Sequence, residues 1–492
     1  MRQLQSDDPA TVAHKTVHVA LPLLTSDVPY VTILWLDDDI LFDIFNCYRL
    51  DDEYLWNVRF RWSKLSHVCR RWRNLIYQST SHLGMHIQCT MGSPMVNTLD
   101  HLPLLPLFLH YHYSHHSAPT VLEQDELGIY HTLRLHGRIR HIDLTLPPSI
   151  LQKVLALMDG NFPILEHLSV SCSFSADSGH LLPLTLPKAF LAPNLLHLAL
   201  FDIGLPKRLR MLTSTFSLVK LELSRIQTSS YFHPRLLVAR LRSLPLLEEL
   251  IITFSIPIPR PSTERELLGD QGAPIKLPSL KILSFLGVGA YLESLLAQIR
   301  VPLLERLDIR LFNQIAFVLP HLFYLVNDTK VFKLSRARVN FYHHEVSVSM
   351  NMNHDHGLGR IPFYLAVMCK PVDWQIECAA QICHALIPTL SGVDELSLVP
   401  GYKEKPTEMR NGAIDSSTWH DLLRSFIGVR EVYIGSRLLE ELSRALQEDE
   451  VVLDPGFLPN LQSIYAPDNM FSSFIDARQI VGRPVAYSYW YN

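Results

Sequence analysis

Phe162-Pro163-Ile164-Leu165-Glu166-His167-Leu168-Ser169-Val170 and Ala192-Pro193-Asn194-Leu195-Leu196-His197-Leu198-Ala199-Leu200 follow one pattern. Each sets a proline two residues ahead of an apolar position, then two variable residues, an apolar one, a variable one and a third apolar one. The last two apolar positions stand two apart, the period of a strand with one buried face. Proline suits the start of such a strand, where its missing N–H is no loss, and it also stops a preceding helix.

Outward from these two stretches the unit recurs as Ile139-Ile142-Leu144, Leu218-Leu221-Leu223, Leu247-Leu250-Ile252, Leu280-Leu283-Phe285, Leu304-Leu307-Ile309, Val393-Leu396-Leu398, Val429-Val432-Ile434 and Leu461-Ile464-Ala466. Pro245, Pro278, Pro302 and Pro459 repeat the proline position. One apolar triplet arises by chance in a leucine-rich chain; a series with shared prolines is the core of a leucine-rich repeat. Where consecutive copies are clear they lie 23 to 36 residues apart, longer and less even than usual for this repeat. Between them run helical stripes, such as Leu236, Leu237, Arg240, Leu241 and Leu244 behind Pro234, and Tyr291, Leu292, Leu295, Leu296 and Ile299. Strand and helix therefore alternate, and each strand is expected to pair in parallel with the one before it. Residues 331–368 break the register: Val346, Val348, Met350 and Met352 alternate as a strand that Tyr364-Leu365-Ala366-Val367 could pair with, so an inserted hairpin is expected.

The amino-terminal part reads differently. Pro9, Pro22 and Pro29 break any helix in residues 1–30, which reads as a flexible leader. From there Leu36, Ile40, Leu41, Ile44 and Phe45 line one helical face behind Asp37, Asp38 and Asp39, and Leu65, Val68, Cys69, Trp72 and Ile76 line another. The fold class is α/β: a short all-α module at 31–80, a linker leading into the solenoid at 81–135, and an irregular leucine-rich repeat solenoid at 136–480 with its insert at 331–368.

Composition narrows the function. With 48 % hydrophobic and 19 % charged residues the 492-residue chain is expected to fold, and a net charge of −4 draws it to neither nucleic acid nor an anionic membrane. The basic cluster Arg59, Arg61, Lys64, Arg70, Arg71 and Arg73 reads as the solvated face of a helix. Seven scattered cysteines, mostly among apolar neighbours, fit a reducing compartment, and no apolar stretch is long enough to span a bilayer. A cytoplasmic or nuclear protein is expected.

No G-x-S-x-G, G-x-x-x-x-G-K-[ST] or G-x-G-x-x-G occurs, so the usual nucleophile elbow and phosphate loops are missing and no catalytic residue is assigned. His344-Glu345 begins a zinc-protease motif, but Val348 stands where its second histidine belongs. Three histidine-rich spots remain: His110-Tyr111-His112 with His115-His116, His343-His344, and His354-Asp355-His356. Alternate strand residues can present two imidazoles to one metal, yet no third and fourth ligand is defined, so solvated polar side chains are expected, with no metal or cofactor. Cys378 and Cys383-His384 fall on an expected helix from Trp374 to Leu386 with Cys383 inside.

Taken in order, Leu36-Asp37-Asp38-Asp39-Ile40-Leu41-Phe42-Asp43-Ile44-Phe45, then Leu65, then Val68-Cys69-Arg70-Arg71-Trp72, resemble an F-box. The family pattern is Leu-Pro, an acidic residue, an aliphatic pair and Ile-Phe, with Val-Cys-x-x-Trp later; Asp37 stands in place of the proline, and the segment from Arg49 to Trp62 is long. With its repeats and the stretches Thr418-Trp419-His420-Asp421-Leu422-Leu423, Leu438-Leu439-Glu440-Glu441-Leu442 and Phe474-Ile475-Asp476-Ala477-Arg478, the chain resembles fungal F-box proteins with leucine-rich repeat-like tails. The resemblance implies a non-catalytic substrate receptor of a cullin-type ubiquitin ligase. Leu36, Ile40, Leu41, Ile44, Phe45, Leu65, Val68, Cys69 and Trp72 would dock a Skp-type adaptor and, through it, a cullin. The solenoid would hold a protein substrate. A leucine-rich repeat interaction scaffold outside any ligase is the alternative.

Overall fold

The computed structural model describes residues 36–50, 61–78, 87–89, 104–113, 121–173, 184–205, 210–256, 273–312, 318–328, 334–342, 344–351, 361–369, 372–400, 416–447 and 454–490, with Gly92 and Leu99. The leader at 1–30 lies outside them. The chain divides into two compact units, 1–84 and 85–492.

In the first unit α1 (Asp38–Leu50), α2 (Arg61–Ser66) and α3 (Arg70–Gln78) follow one another. Asp37 accepts the Leu41 N–H at its carbonyl, 3.1 Å, with Asp38 and Asp39 in the first turn, so the acidic run sits where the helix dipole favours it. Before α3 the Cys69 carbonyl accepts the Arg73 N–H at 3.1 Å and its Sγ accepts the Trp72 N–H at 3.4 Å, a thiol serving as a helix cap. Leu41, Phe45, Trp72 and Ile76 fill the interior, with the Phe45 and Trp72 rings edge-on at 4.9 Å. Arg71 ties the helices together, donating to Asp38 Oδ1 and the Leu36 carbonyl, both at 2.6 Å.

The second unit is built on one sheet, sixteen-stranded among the described residues. Its strands are β1 (Ile87–Cys89), β2 (Leu107–His112), β3 (Ile139–Leu146), β4 (His167–Cys172), β5 (His197–Phe201), β6 (Lys220–Ile226), β7 (Glu249–Phe254), β9 (Ile282–Gly287), β11 (Arg306–Leu311), β12 (Arg336–Phe341), β13 (Glu345–Asn351), β14 (Phe363–Met368), β15 (Glu395–Pro400), β16 (Glu431–Ile434), β17 (Ser463–Ala466) and β18 (Ala486–Tyr489). A separate parallel pair, β8 (Ile275–Lys276) and β10 (Ile299–Arg300), lies beside them in sequence. From β1 to β11 each main strand pairs in parallel with its predecessor, and the same holds from β15 to β18. Such an array resembles a leucine-rich repeat solenoid, in which each unit covers the apolar edge of the last.

The triplets supply the core: every one of their thirty side chains is at most 4 % exposed. Burying a leucine or isoleucine of this kind contributes roughly 1.5–3 kcal/mol, which offsets the entropy of ordering each turn and strand. Helices cover the other side of this core. Pro234–Leu241 buries Leu237 and Leu241, and Gly289–Leu296 buries Tyr291, Leu292, Leu295 and Leu296, whereas Leu236 is exposed and Ile299 falls in β10.

The shared prolines act one step earlier than strand initiation. Pro163 and Pro193 occupy the second position of turns closed by Leu165 N–H to Phe162 O at 3.3 Å and Leu195 N–H to Ala192 O at 3.2 Å. The turns at Pro245, Pro278, Pro302 and Pro459 close the same way. Proline's fixed φ suits this turn position, so in these six triplets the first apolar residue closes a turn and the strand begins two residues later.

Sheet strands extend beyond the expected solenoid limits: β1 and β2 lie within 81–135, and β18 follows residue 480. The insert is larger than a hairpin. The order β11-β14-β13-β12-β15 shows the chain passing over two strand positions to form β12, folding back as antiparallel β13, and returning as β14 beside β11. Val346, Val348 and Met350 pair with Val367, Leu365 and Phe363, while Met352 lies outside the described residues. Because β14 runs parallel to β11 and β12 parallel to β15, the repeat direction continues on both sides. Among the described residues no helix is long and apolar enough to cross a membrane.

Candidate functional site

Two surfaces carry residues that packing does not use. In the first unit the residues expected from the sequence to dock an adaptor divide by burial. Leu41, Phe45 and Trp72 are interior; Leu36, Leu65 and Cys69 are half-buried; Ile40, Ile44 and Val68 are exposed at 46 %, 36 % and 56 %. Ile40 and Ile44 on α1 and Val68 in the turn between α2 and α3 stand outside the interior that Leu41, Phe45, Trp72 and Ile76 fill. Lys64, Arg70 and Arg73 are solvated, and Arg71 is engaged with Asp38; Arg59 and the side chain of Arg61 lie outside the described residues.

The second surface is the face of the sheet opposite the triplets. Register brings its side chains into rows: Phe108, His141, His167, His197 and Lys220 are successive partners across β2 to β6. Phe108 stacks on His141 at 5.2 Å, His141 lies flat on His167 at 4.1 Å, and the Nδ1 atoms of His167 and His197 stand 3.3 Å apart. Burial, then the charges of His197 and Lys220, push His167 below its ordinary pKa although Asp143 opposes them. At the other end Tyr433 stacks on Tyr465 at 4.4 Å, with Trp490 edge-on to Tyr433 at 5.5 Å. Between the two ends run charged side chains: Lys220 lies 3.4 Å from Glu222 and from Glu249, and Arg310 lies over the Tyr364 ring at 5.1 Å.

The next row of the same face pairs His110 of β2 with Asp143 of β3. His110 Nδ1 and His112 Nε2 both lie 3.3 Å from Asp143 Oδ2, and His112 Nδ1 is 2.9 Å from Thr145 Oγ1. Burial pushes the Asp143 carboxyl up, but hydrogen bonds from His110 and His112 outweigh it and hold it well below the usual carboxylate range. His110 and His112 are therefore strand residues gathered around a carboxylate. Asp143 was hidden from sequence reasoning because it is a variable position 31 residues beyond His112, joined to it only by register. Its one signal was its place between Ile142 and Leu144 in the first triplet.

Of the other sites, His115, His116, His343, His354, Asp355 and His356 lie outside the described residues. Glu345 opens β13, where Val348 is buried, and Cys378 and Cys383 are buried in the helix Val372–Ala385.

No family model matches the chain, and no curated protein matches it. Among solved structures it is similar to the leucine-rich repeat-containing protein LegL7 from Legionella pneumophila, at 11 % identity over 81 % of this chain and 98 % of that one, with a TM-score of 0.25. At that score the likeness adds nothing to what the sheet itself displays.

Proposed function

We propose that this chain is a substrate-recognition receptor of a cullin-type ubiquitin ligase, its first unit docking a Skp-type adaptor and its sheet face holding a protein substrate. One observation supports the reading above the others: Ile40 and Ile44 on α1 and Val68 in the turn between α2 and α3 stay exposed while Leu41, Phe45, Trp72 and Ile76 fill the interior. Covering these half-exposed side chains with a partner would contribute about 1 kcal/mol each at roughly 25 cal/mol per Å². The order of residues around them is that of the F-box resemblance, and Asp37 in place of proline still starts α1 through its carbonyl.

In such a receptor the mechanism is proximity. A substrate held on the sheet face brings a lysine near a charged conjugating enzyme, raising its effective concentration, and the receptor itself needs no catalytic group.

Co-purification with a Skp-type adaptor tests this. Wild-type chain is expected to bind at one to one, and Ile44→Asp and Val68→Asp to abolish binding while keeping wild-type circular dichroism. A folded wild-type chain that ignores the adaptor would leave the alternative, a leucine-rich repeat scaffold with no ligase role.

A further inference from the structure

We propose that His110, His112 and Asp143 form a binding site for a divalent transition metal, Zn²⁺ being the ion their chemistry suits, on the outward face of the sheet. Two imidazoles and a carboxylate are ligands of borderline character that match zinc, and their ligand atoms all lie within 4.8 Å of one another.

The separations that serve as hydrogen bonds in the metal-free cluster also match those of a metal shell. A charge-assisted N–H···O bond between imidazole and carboxylate closes to about 2.7–2.9 Å. Both His–Asp separations are instead 3.3 Å, to the same oxygen. With metal–ligand bonds of about 2.0–2.1 Å, neighbouring ligands of a tetrahedral shell lie about 3.4 Å apart.

The surroundings are those of a supported site. With an ion bound, Thr145 Oγ1, 2.9 Å from His112 Nδ1, can accept the Nδ1–H, so that Nε2 turns its lone pair to the ion in place of its hydrogen bond to Asp143. Ser169 on β4 is the next register partner of Asp143 and adds to the groups that favour its ionised form. The backbone is rigid, because His110, Asp143 and Ser169 are successive partners in one row of the sheet. Access is one-sided: His110 and Asp143 are 12 % and 19 % exposed while His112 is 49 % exposed, so water or an incoming ligand can complete the shell from solvent. Three protein ligands and an open position are the arrangement of zinc sites that exchange a ligand. This assignment does not depend on adaptor binding.

The test is calorimetric titration of ZnCl₂ into the untagged full chain after chelator treatment, with a parallel Co²⁺ absorption spectrum. One saturable equivalent is expected. His112→Ala, at the exposed position, and the near-isosteric Asp143→Asn should each weaken it about tenfold or more while melting as wild type, and His197→Ala should leave it within about twofold. The Co²⁺ form should lack a thiolate charge-transfer band. Absence of a saturable equivalent, retention of full affinity in both ligand variants, or a thiolate band placing the ion on cysteine would each overturn the proposal.

Discussion

Gly428 occupies a turn that rests on the backbone of the preceding repeat. A Cβ there would lie 2.3 Å from the Ser391 carbonyl oxygen and 3.0 Å from that of Val393, both main-chain atoms that no rotamer change can move. Gly428→Val is expected to cost about 2 kcal/mol, seen as a lower urea midpoint, and an unchanged midpoint would contradict the stacking of these turns. Arg478 is the second such residue. Wholly buried, it donates to the Phe457 and Leu458 carbonyls at 3.1 and 2.9 Å, fixing a turn in which Leu458 takes a φ of 41°. Arg478→Ala should cost about 3 kcal/mol by leaving those buried carbonyls without donors, with earlier proteolysis near residues 455–490 as the readout. Neither role is legible in the sequence, because each depends on a carbonyl supplied by another stretch of the fold. The same reason hid Asp143, whereas His110 and His112 announced themselves by alternation.

Single elements separate packing from docking. Trp72→Ala removes the ring that Phe45 packs against and should destabilise the first unit by about 3 kcal/mol, with loss of helical signal, whereas Ile44→Asp at the surface should not. Equal helix loss in both would place Ile44 in the interior and remove the argument for a docking face. On β4 the stacked His167 makes stability depend on pH. Unfolded histidine titrates near about pH 6.5, and the folded strand holds His167 below its ordinary value. As pH falls through that point the unfolded chain takes up a proton that the folded strand resists, so stability declines on the acid side and has no such term above it. The melting temperature of His167→Asn should therefore fall less between pH 7.5 and 5.5 than that of wild type; parallel slopes would contradict the burial argument. At this scale much was legible. The spacing of Leu165, Leu168 and Val170 identifies side chains that are fully buried, because a strand with one buried face forces the two-residue period of Leu168 and Val170 and the turn before it points Leu165 to the same core. The prolines were legible in position but not in role, since a turn and a strand start predict the same residue. The insert was legible as alternation at Val346 and Val348, but its strand order was not, since nothing local determines which neighbours β12 and β14 choose.

For the molecule as a whole, the proposed receptor role divides between the two units, with docking at the exposed apolar side chains of 38–50 and 61–78 and capture on the outward face of the sheet. A repeat array suits capture because its outward positions are free of the core pattern, and the face accordingly changes from a histidine row at β3–β5 to paired charges and then to the tyrosines of β16 and β17. Hydrogen–deuterium exchange of the full chain with and without a Skp-type adaptor measures this division directly. Protection confined to peptides covering 38–50 and 61–78, with the β2–β17 peptides unchanged, is the predicted result. Protection falling on the sheet strands instead, or on no peptide at all, would contradict it.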